Sequence, residues 1–236
     1  MRVLEMRVLA LDAATEACSV ALLTNGAAIS RTIESGKGTA LNMLRMAEEV
    51  LAEGQMSLST LDGIAASVGP GAFTGVRISV AVAQGLAFGA DLKVVPVTTL
   101  EALALQVLEG PGSRAIACLD ARMGEVYWGC FGWDDARGLI ECGTSRVGPP
   151  QSVSLTPSGR YLGVGRGFSA YPVLAALPGV EIDAVRSAAL PNAREIARLG
   201  ALRLAREGLD PADLKPLYLR DKVALTEAER AAHQSL

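Results

Sequence analysis

VGPGAFTGVRISVAVAQGLAFG, residues 68–89, joins a glycine-rich loop to a helix with almost no polar face. The loop has the outline of a phosphate cradle. Residues 64–68 before it are apolar and predict a buried strand, and Thr74 is a candidate N-cap for the helix that follows. Strand, glycine turn and helix N-terminus together make the usual anion-holding geometry. The details do not fit a P-loop, because Gly75 is followed by Val76 and Arg77 rather than Lys and Ser or Thr. The dinucleotide pattern fails too, since position 74 is Thr. The alternative reading of Gly69, Gly71 and Gly75 is a tight turn that lets helix and strand approach closely. From 76 to 88 only Arg77, Ser79 and Gln84 are polar. Such a helix needs cover on most sides, from its own core or from another chain. Ser79, Ala81, Ala83, Gly85 and Ala87 are small enough for a second helix to come close. Gly85 costs a helix about 1 kcal/mol relative to Ala, so packing is expected to explain it. Arg77, early in the helix, opposes the helix dipole and predicts an acidic partner, within the fold or on another chain.

Composition narrows the class. The chain has 236 residues, half of them hydrophobic and only 4% aromatic, which suits an α/β core. A net charge of −3 argues against direct nucleic-acid binding by a basic surface. No apolar run reaches the roughly 18 residues of a membrane span, and the 75–90 helix falls short of it. No signal peptide with a basic start and a cleavage site precedes the fold. These features predict a cytoplasmic protein without a membrane role. The four cysteines (Cys18, Cys118, Cys130, Cys142) form no CxxC pair and predict reduced core thiols. The single histidine, His233, lies in a polar tail, which leaves no His-based metal site and no Ser-His-Asp triad. Met1-Arg-Val-Leu repeats as Met6-Arg-Val-Leu, so residues 1–5 read as an extension from an upstream start.

Patterning predicts strands at 6–11, 18–23 and 28–33, with Asn25-Gly26 as a hairpin turn. A helix over 39–53 presents Ala40, Met43, Leu44, Ala47, Val50 and Leu51 on one face and Met46 on the other, beside Asn42, Glu49 and Glu53. A strand at 93–97 and a helix at 100–108 complete a first lobe, 1–109. Gly110-Pro111-Gly112-Ser113 then breaks the chain. The opening order recurs in a second lobe, 113–221: strands at 115–119, 126–131 and 139–142, with a turn at 134–138. Asp120 closes the first of these strands as Asp12 closes the first strand of the chain, and the next strand starts six residues on in both halves. The pattern predicts a duplicated α/β fold. A strand at 160–164, a helix from the Asn192 cap to Glu207, a short strand at 217–219 and a polar tail at 222–236 follow.

Asp12-Ala13-Ala14-Thr15 resembles the first phosphate loop of the actin, hexokinase and sugar-kinase fold, with Ala14 where that loop has Gly. Asp120-Ala121-Arg122-Met123-Gly124 resembles the second loop and also lacks Gly two residues after Asp. A closer resemblance rests on longer segments: LALDAATEACSVA (9–21), GPGAFTGVRI (69–78), AQGL (83–86), LDARMGEVYW (119–128) and YLR (218–220). On these segments the chain is similar to the TsaB (YeaZ) family.

That resemblance implies an actin-like (ASKHA) fold, two lobes with mixed sheets flanked by helices. It also implies the role of a non-catalytic subunit in tRNA threonylcarbamoyladenosine formation. The catalytic relative TsaD carries two metal-binding histidines in its first long helix, whereas the helix at 39–53 here has none. Many TsaB relatives keep one His where this chain has Gly38, and Ala13 replaces the usual Thr. The implied partners are TsaD and, with it, the ATPase TsaE, acting on tRNAs that read codons beginning with A. tRNA would be met indirectly, and a homodimer would form through the same face without TsaD. No cofactor or metal is implied for this chain alone, and ATP or ADP could bind only in the complex. The expected interface comprises Met43, Met46, Val50, Arg77, Ile78, Ser79, Val82, Gly85 and Leu86. The expected vestigial nucleotide loops comprise Asp12, Thr15, Gly69, Gly71 and Asp120. Two other functions stand beside this one: a small-molecule kinase or ATPase of the same fold, and a peptidase, for which the sequence shows no nucleophile–base pair.

Overall fold

A computed structural model describes residues 6–34, 36, 38–108, 110–134 and 138–220. The extension at 1–5, most of the turn at 134–138 and the tail at 222–236 with His233 lie outside the described residues.

Two sheets carry the fold. The first contains β1 (Val8–Asp12), β2 (Ala17–Thr24), β3 (Ala27–Glu34), β4 (Gly63–Ser67) and β5 (Lys93–Val97) in the order β3-β2-β1-β4-β5. The second contains β6 (Arg114–Arg122), β7 (Glu125–Asp134), β8 (Gly138–Glu141), β10 (Tyr161–Val164) and β11 (Val180–Glu181), with β9 (Arg146–Gly148) paired to β7. Its order is β8-β7-β6-β10-β11, the same path: an antiparallel three-strand meander followed by two parallel strands. The expected duplication is present. Asn25 and Gly26 take positive φ (50° and 75°), as a two-residue hairpin turn requires.

Period-two alternation in β1 gives the first sheet two covered faces. Leu9 and Leu11 point to one core, shared with Met43, Val50, Val80 and Ala83 from helices α1 (Thr39–Glu53) and α2 (Phe73–Ala90). Val8 and Ala10 point to the other, shared with Ile196 and Leu199 of the later helix α6 (Ala193–Glu207). The short helix α3 (Thr99–Leu105) follows the first sheet in sequence, yet Leu100 and Leu103 share a core with Ala117, Leu119 and Phe131 of the second sheet. Each half therefore sends a helix to the other. Arg203 of α6 donates to Glu101 of α3 at 2.6 Å where both side chains are largely buried. Residues 110–113 lie in sequence between the strands of the two sheets, while α6, from the second half of the chain, packs on the first sheet.

Several sequence expectations change. The stretch 217–219 is not a strand: Leu217 makes one backbone bond to Val68 (2.7 Å) and the chain runs on without a ladder. The helix expected at 100–108 ends at Leu105. Helix α2 starts at Phe73, so Thr74 is not its cap; Ala72 takes that position with no side-chain bond. With 18 residues, α2 is long and apolar enough by length and composition to cross a membrane, contrary to the expectation that it falls short. It is nonetheless the crossover between parallel strands β4 and β5, and its buried face closes the first core. In the second half the crossover from β10 to β11 holds only the four-residue helix α4 (Gly167–Ala170) and a 3₁₀ turn at Pro172–Ala176, and another four-residue helix, α5 (Ala184–Ser187), follows β11.

Candidate interaction face and sealed phosphate loop

The loop after β4 fits against the loop after β1 with no room for a side chain. A Cβ at Gly75 would lie 1.8 Å from the Ala13 carbonyl oxygen, and one at Gly71 would lie 2.1 Å from that of Ala14. Ala72 donates to the Ala14 carbonyl (2.7 Å), and Ala13 donates to the Ser79 hydroxyl (2.8 Å), which itself bonds the Gly75 carbonyl (3.3 Å). The glycines thus serve the close fit of α2 and its leading loop on residues 13–14, while Ala14, Thr15, Gly71 and Gly75 also line the cleft between the sheets.

Asp12, just before this contact, is fully buried. One carboxylate oxygen accepts from Ser67 (2.5 Å) and from the Ala14 N–H (3.0 Å); the other has no partner among the described residues. Desolvation outweighs those two bonds and raises its pKa above the ordinary carboxylate value. Burial, with Asp12 nearby, pushes the Cys18 thiol up to about 11. Thr15 likewise has a buried hydroxyl without a partner. The second loop is open. Asp120 accepts from the Arg122 N–H (2.8 Å) and the Tyr171 hydroxyl (3.1 Å) and lines a cleft of about 560 Å³ between the sheets. Asp12 is not among the residues lining that cleft. Glu16 reaches Arg122 across it at 3.1 Å, and Arg220 donates to the Ala121 carbonyl at 3.1 Å and to Glu125. Among the described residues no three His, Cys, Asp or Glu side chains are placed to hold a metal ion.

The expected interface residues divide sharply. Met43, Met46 and Val50 are buried in their own lobe, as is Ser79, so these four are not on the surface that a partner could meet. The reason lies in helix α1. Positions 43, 46, 47, 50 and 51 form the stripe against the sheet, which takes in Met46 and leaves Ala40, Leu41 and Leu44 outside. Leu41 is 72% exposed and Leu44 38%. Ile78, Val82 and Leu86 are half-buried along the margin of the first core. Arg77 and Gly85 are exposed, on a line with Phe73, Ala81 and Phe88 that points away from the sheet. A Cβ at Gly85 or at Gly89 would meet nothing within 4 Å. Packing inside this chain therefore does not explain Gly85. Sequence reasoning missed Leu41, Leu44, Phe73 and Phe88. Their signal was available: α1 and α2 hold more apolar positions than one buried stripe can use.

The shared strand path and the paired aspartate loops place the chain in the actin-like class of duplicated α/β folds. A family model described as TsaD: tRNA N6-adenosine threonylcarbamoyltransferase matches residues 35–137. The chain is 36% identical to the tRNA threonylcarbamoyladenosine biosynthesis protein TsaB of Escherichia coli K12, over 93% of this chain and 96% of that one. It is 34% identical to the TsaB of Haemophilus influenzae, over 92% and 95%. YeaZ from Pseudomonas aeruginosa superposes with a TM-score of 0.81 at 38% identity, over 91% of this chain and all of that one. The chain belongs to the TsaB (YeaZ) family of tRNA threonylcarbamoyladenosine biosynthesis proteins.

Proposed function

We propose that this chain is the non-catalytic, partner-binding subunit of the machinery that forms threonylcarbamoyladenosine on tRNAs reading codons that begin with A. Its partner is TsaD, joined by TsaE, and the surface it offers is the outer face of α1 and α2. One observation carries the reading. Helix α2 keeps an interior glycine, Gly85, whose vacant side opens to solvent, on a stripe that also exposes Phe73, Ala81 and Phe88. A mid-helix glycine destabilises the isolated fold by about 1 kcal/mol, and close approach by another helix supplies the offset. The family-model match adds support, because residues 35–137 span both helices, so a TsaD can present a comparable pair. In the absence of TsaD, the same face would pair with a second copy.

The burial of the Asp12 carboxylate supports a chain without nucleotide chemistry of its own, with ATP or ADP bound only in the complex and tRNA met through TsaD. The setting is the cytoplasm. The kinase or ATPase reading has the cleft in its favour and the buried Asp12 against it. Ala81 is exposed at the middle of the stripe, so Ala81→Glu should leave the fold intact. Light scattering of an equimolar mixture with the TsaD of the same genome should give a heterodimer for the wild type and separate species for Ala81→Glu. A mixture that never associates, or a variant that associates like the wild type, contradicts the proposal.

A further inference from the structure

At the N-terminal end of the stripe stands a side-chain arrangement that apolar docking alone does not require. The Arg77 guanidinium lies 3.4 Å from the centroid of the Phe73 ring and 5.7 Å from that of Tyr218. Its Nε donates to the Tyr218 hydroxyl at 2.9 Å. The two rings sit 6.1 Å apart, tilted by 32°. Tyr218 is itself held from both sides: Leu217 donates its N–H to Val68, and Arg220 bonds the Ala121 carbonyl and Glu125. The cation is thus fixed in plane and direction by an aromatic floor and a hydroxyl anchored in the chain's last described segment. Both rings remain about half exposed. No Asp or Glu among the described residues pairs with Arg77, although the sequence position predicted one.

Stacking and the Nε bond use one face and one donor of a group that has five. The Nη edge, with its parallel N–H groups, makes no hydrogen bond among the described residues. A planar carboxylate fits that edge with two charge-assisted bonds, and the fixed guanidinium loses little freedom in forming them. Arginines and aromatics that a partner buries are enriched among the side chains whose loss costs most affinity. Arg77 continues the line of Ala81 and Gly85, so a chain seated on that stripe covers it.

We propose that Phe73, Arg77 and Tyr218 form a preorganised receptor for a carboxylate side chain, an Asp or Glu of TsaD, which fixes the register of docking on the helix face. This rests on the partner reading above. The apolar stripe supplies contact area, and the receptor decides which acidic residue sits at its end.

Titration calorimetry with full-length protein and the TsaD of the same genome, at about 50 and 500 mM salt, tests it. Arg77→Ala should weaken binding about 10- to 100-fold and flatten the salt dependence. Arg77→Lys should restore little, since an ammonium neither stacks flat nor bonds in parallel. Tyr218→Phe should lose about 3- to 10-fold by freeing the guanidinium. Near-UV circular dichroism confirms that each variant keeps the native fold. Binding of Arg77→Ala within twofold of wild type, while Ala81→Glu abolishes it, overturns the receptor and leaves the docking face standing. Full rescue by Lys also overturns it, as does loss of self-association with TsaD binding intact, which would assign the acid to a second copy. Wild-type affinity in both Arg77→Ala and Ala81→Glu removes the face and the receptor together.

Discussion

The two halves of this molecule share a strand path and differ in almost everything laid on it. In the first half, β4 is followed by an 18-residue helix that covers the sheet on one side and opens an apolar stripe on the other. In the second, the equivalent crossover between β10 and β11 shrinks to a four-residue helix and a 3₁₀ turn, and Phe168 and Leu174 close the core beneath them. The aspartate loops diverge in the opposite sense. Asp12 is sealed under α2, whereas Asp120 faces the inter-sheet cleft. A duplicated frame has thus been specialised twice. In one half a long crossover helix lies over a buried aspartate; in the other a short crossover accompanies an aspartate that faces the cleft.

The sharpest way to break this comparison is within α2, where glycines with opposite environments share one helix. Gly75→Ala drives a methyl into the Ala13 carbonyl, a backbone atom that cannot swing aside. It should destabilise the protein by about 3 kcal/mol or more, read as a large drop in the denaturant midpoint. Gly85→Ala meets open space and should instead stabilise the isolated chain by about 1 kcal/mol while weakening binding to TsaD. If both substitutions behave alike, the distinction between a packed N-terminus and an open outer stripe fails.

A smaller effect sharpens the contrast between the aspartates. Burial raises the pKa of Asp12, so the folded chain keeps that proton to higher pH than the unfolded chain does. The stabilising contribution is complete below the unfolded carboxylate value and is lost as pH rises through the folded one. Asp12→Asn should therefore remove a decline in stability between the unfolded and the folded carboxylate values. Denaturant titrations from pH 4 to 8 check this. An unchanged slope would show that the carboxylate is not held out of water as the geometry indicates.

Much of the fold was legible because it rests on local rules. β1, β2, β4 and β5 are apolar runs bounded by turns, Asn25-Gly26 is a hairpin signal, and Asn192 caps α6 through the Arg194 N–H. The repeated strand-Asp-strand interval disclosed the duplication before any contact was known. The crossing of α3 and α6 to opposite sheets was not legible, since periodicity shows that a face is buried but not which sheet buries it. The same limit explains the interface. Helix α1 carries apolar residues around more than half its circumference, so the sequence allowed two stripes, and only the sheet selects the one containing Met43 and Met46. The close fit against Ala13 and Ala14 depends on two glycines some sixty residues away, a long-range fit that no local motif encodes.

The claim at the centre of this account is that a partner covers the outer face of α1 and α2 and leaves the second sheet free. Hydrogen exchange, measured by mass spectrometry with and without the TsaD of the same genome, tests it most directly. The account predicts slowed exchange in peptides from Thr39–Glu53, Phe73–Ala90 and 217–220, with β10, α4 and α5 unchanged. Protection centred on residues 160–190, with α1 and α2 exchanging as in the free protein, would contradict it.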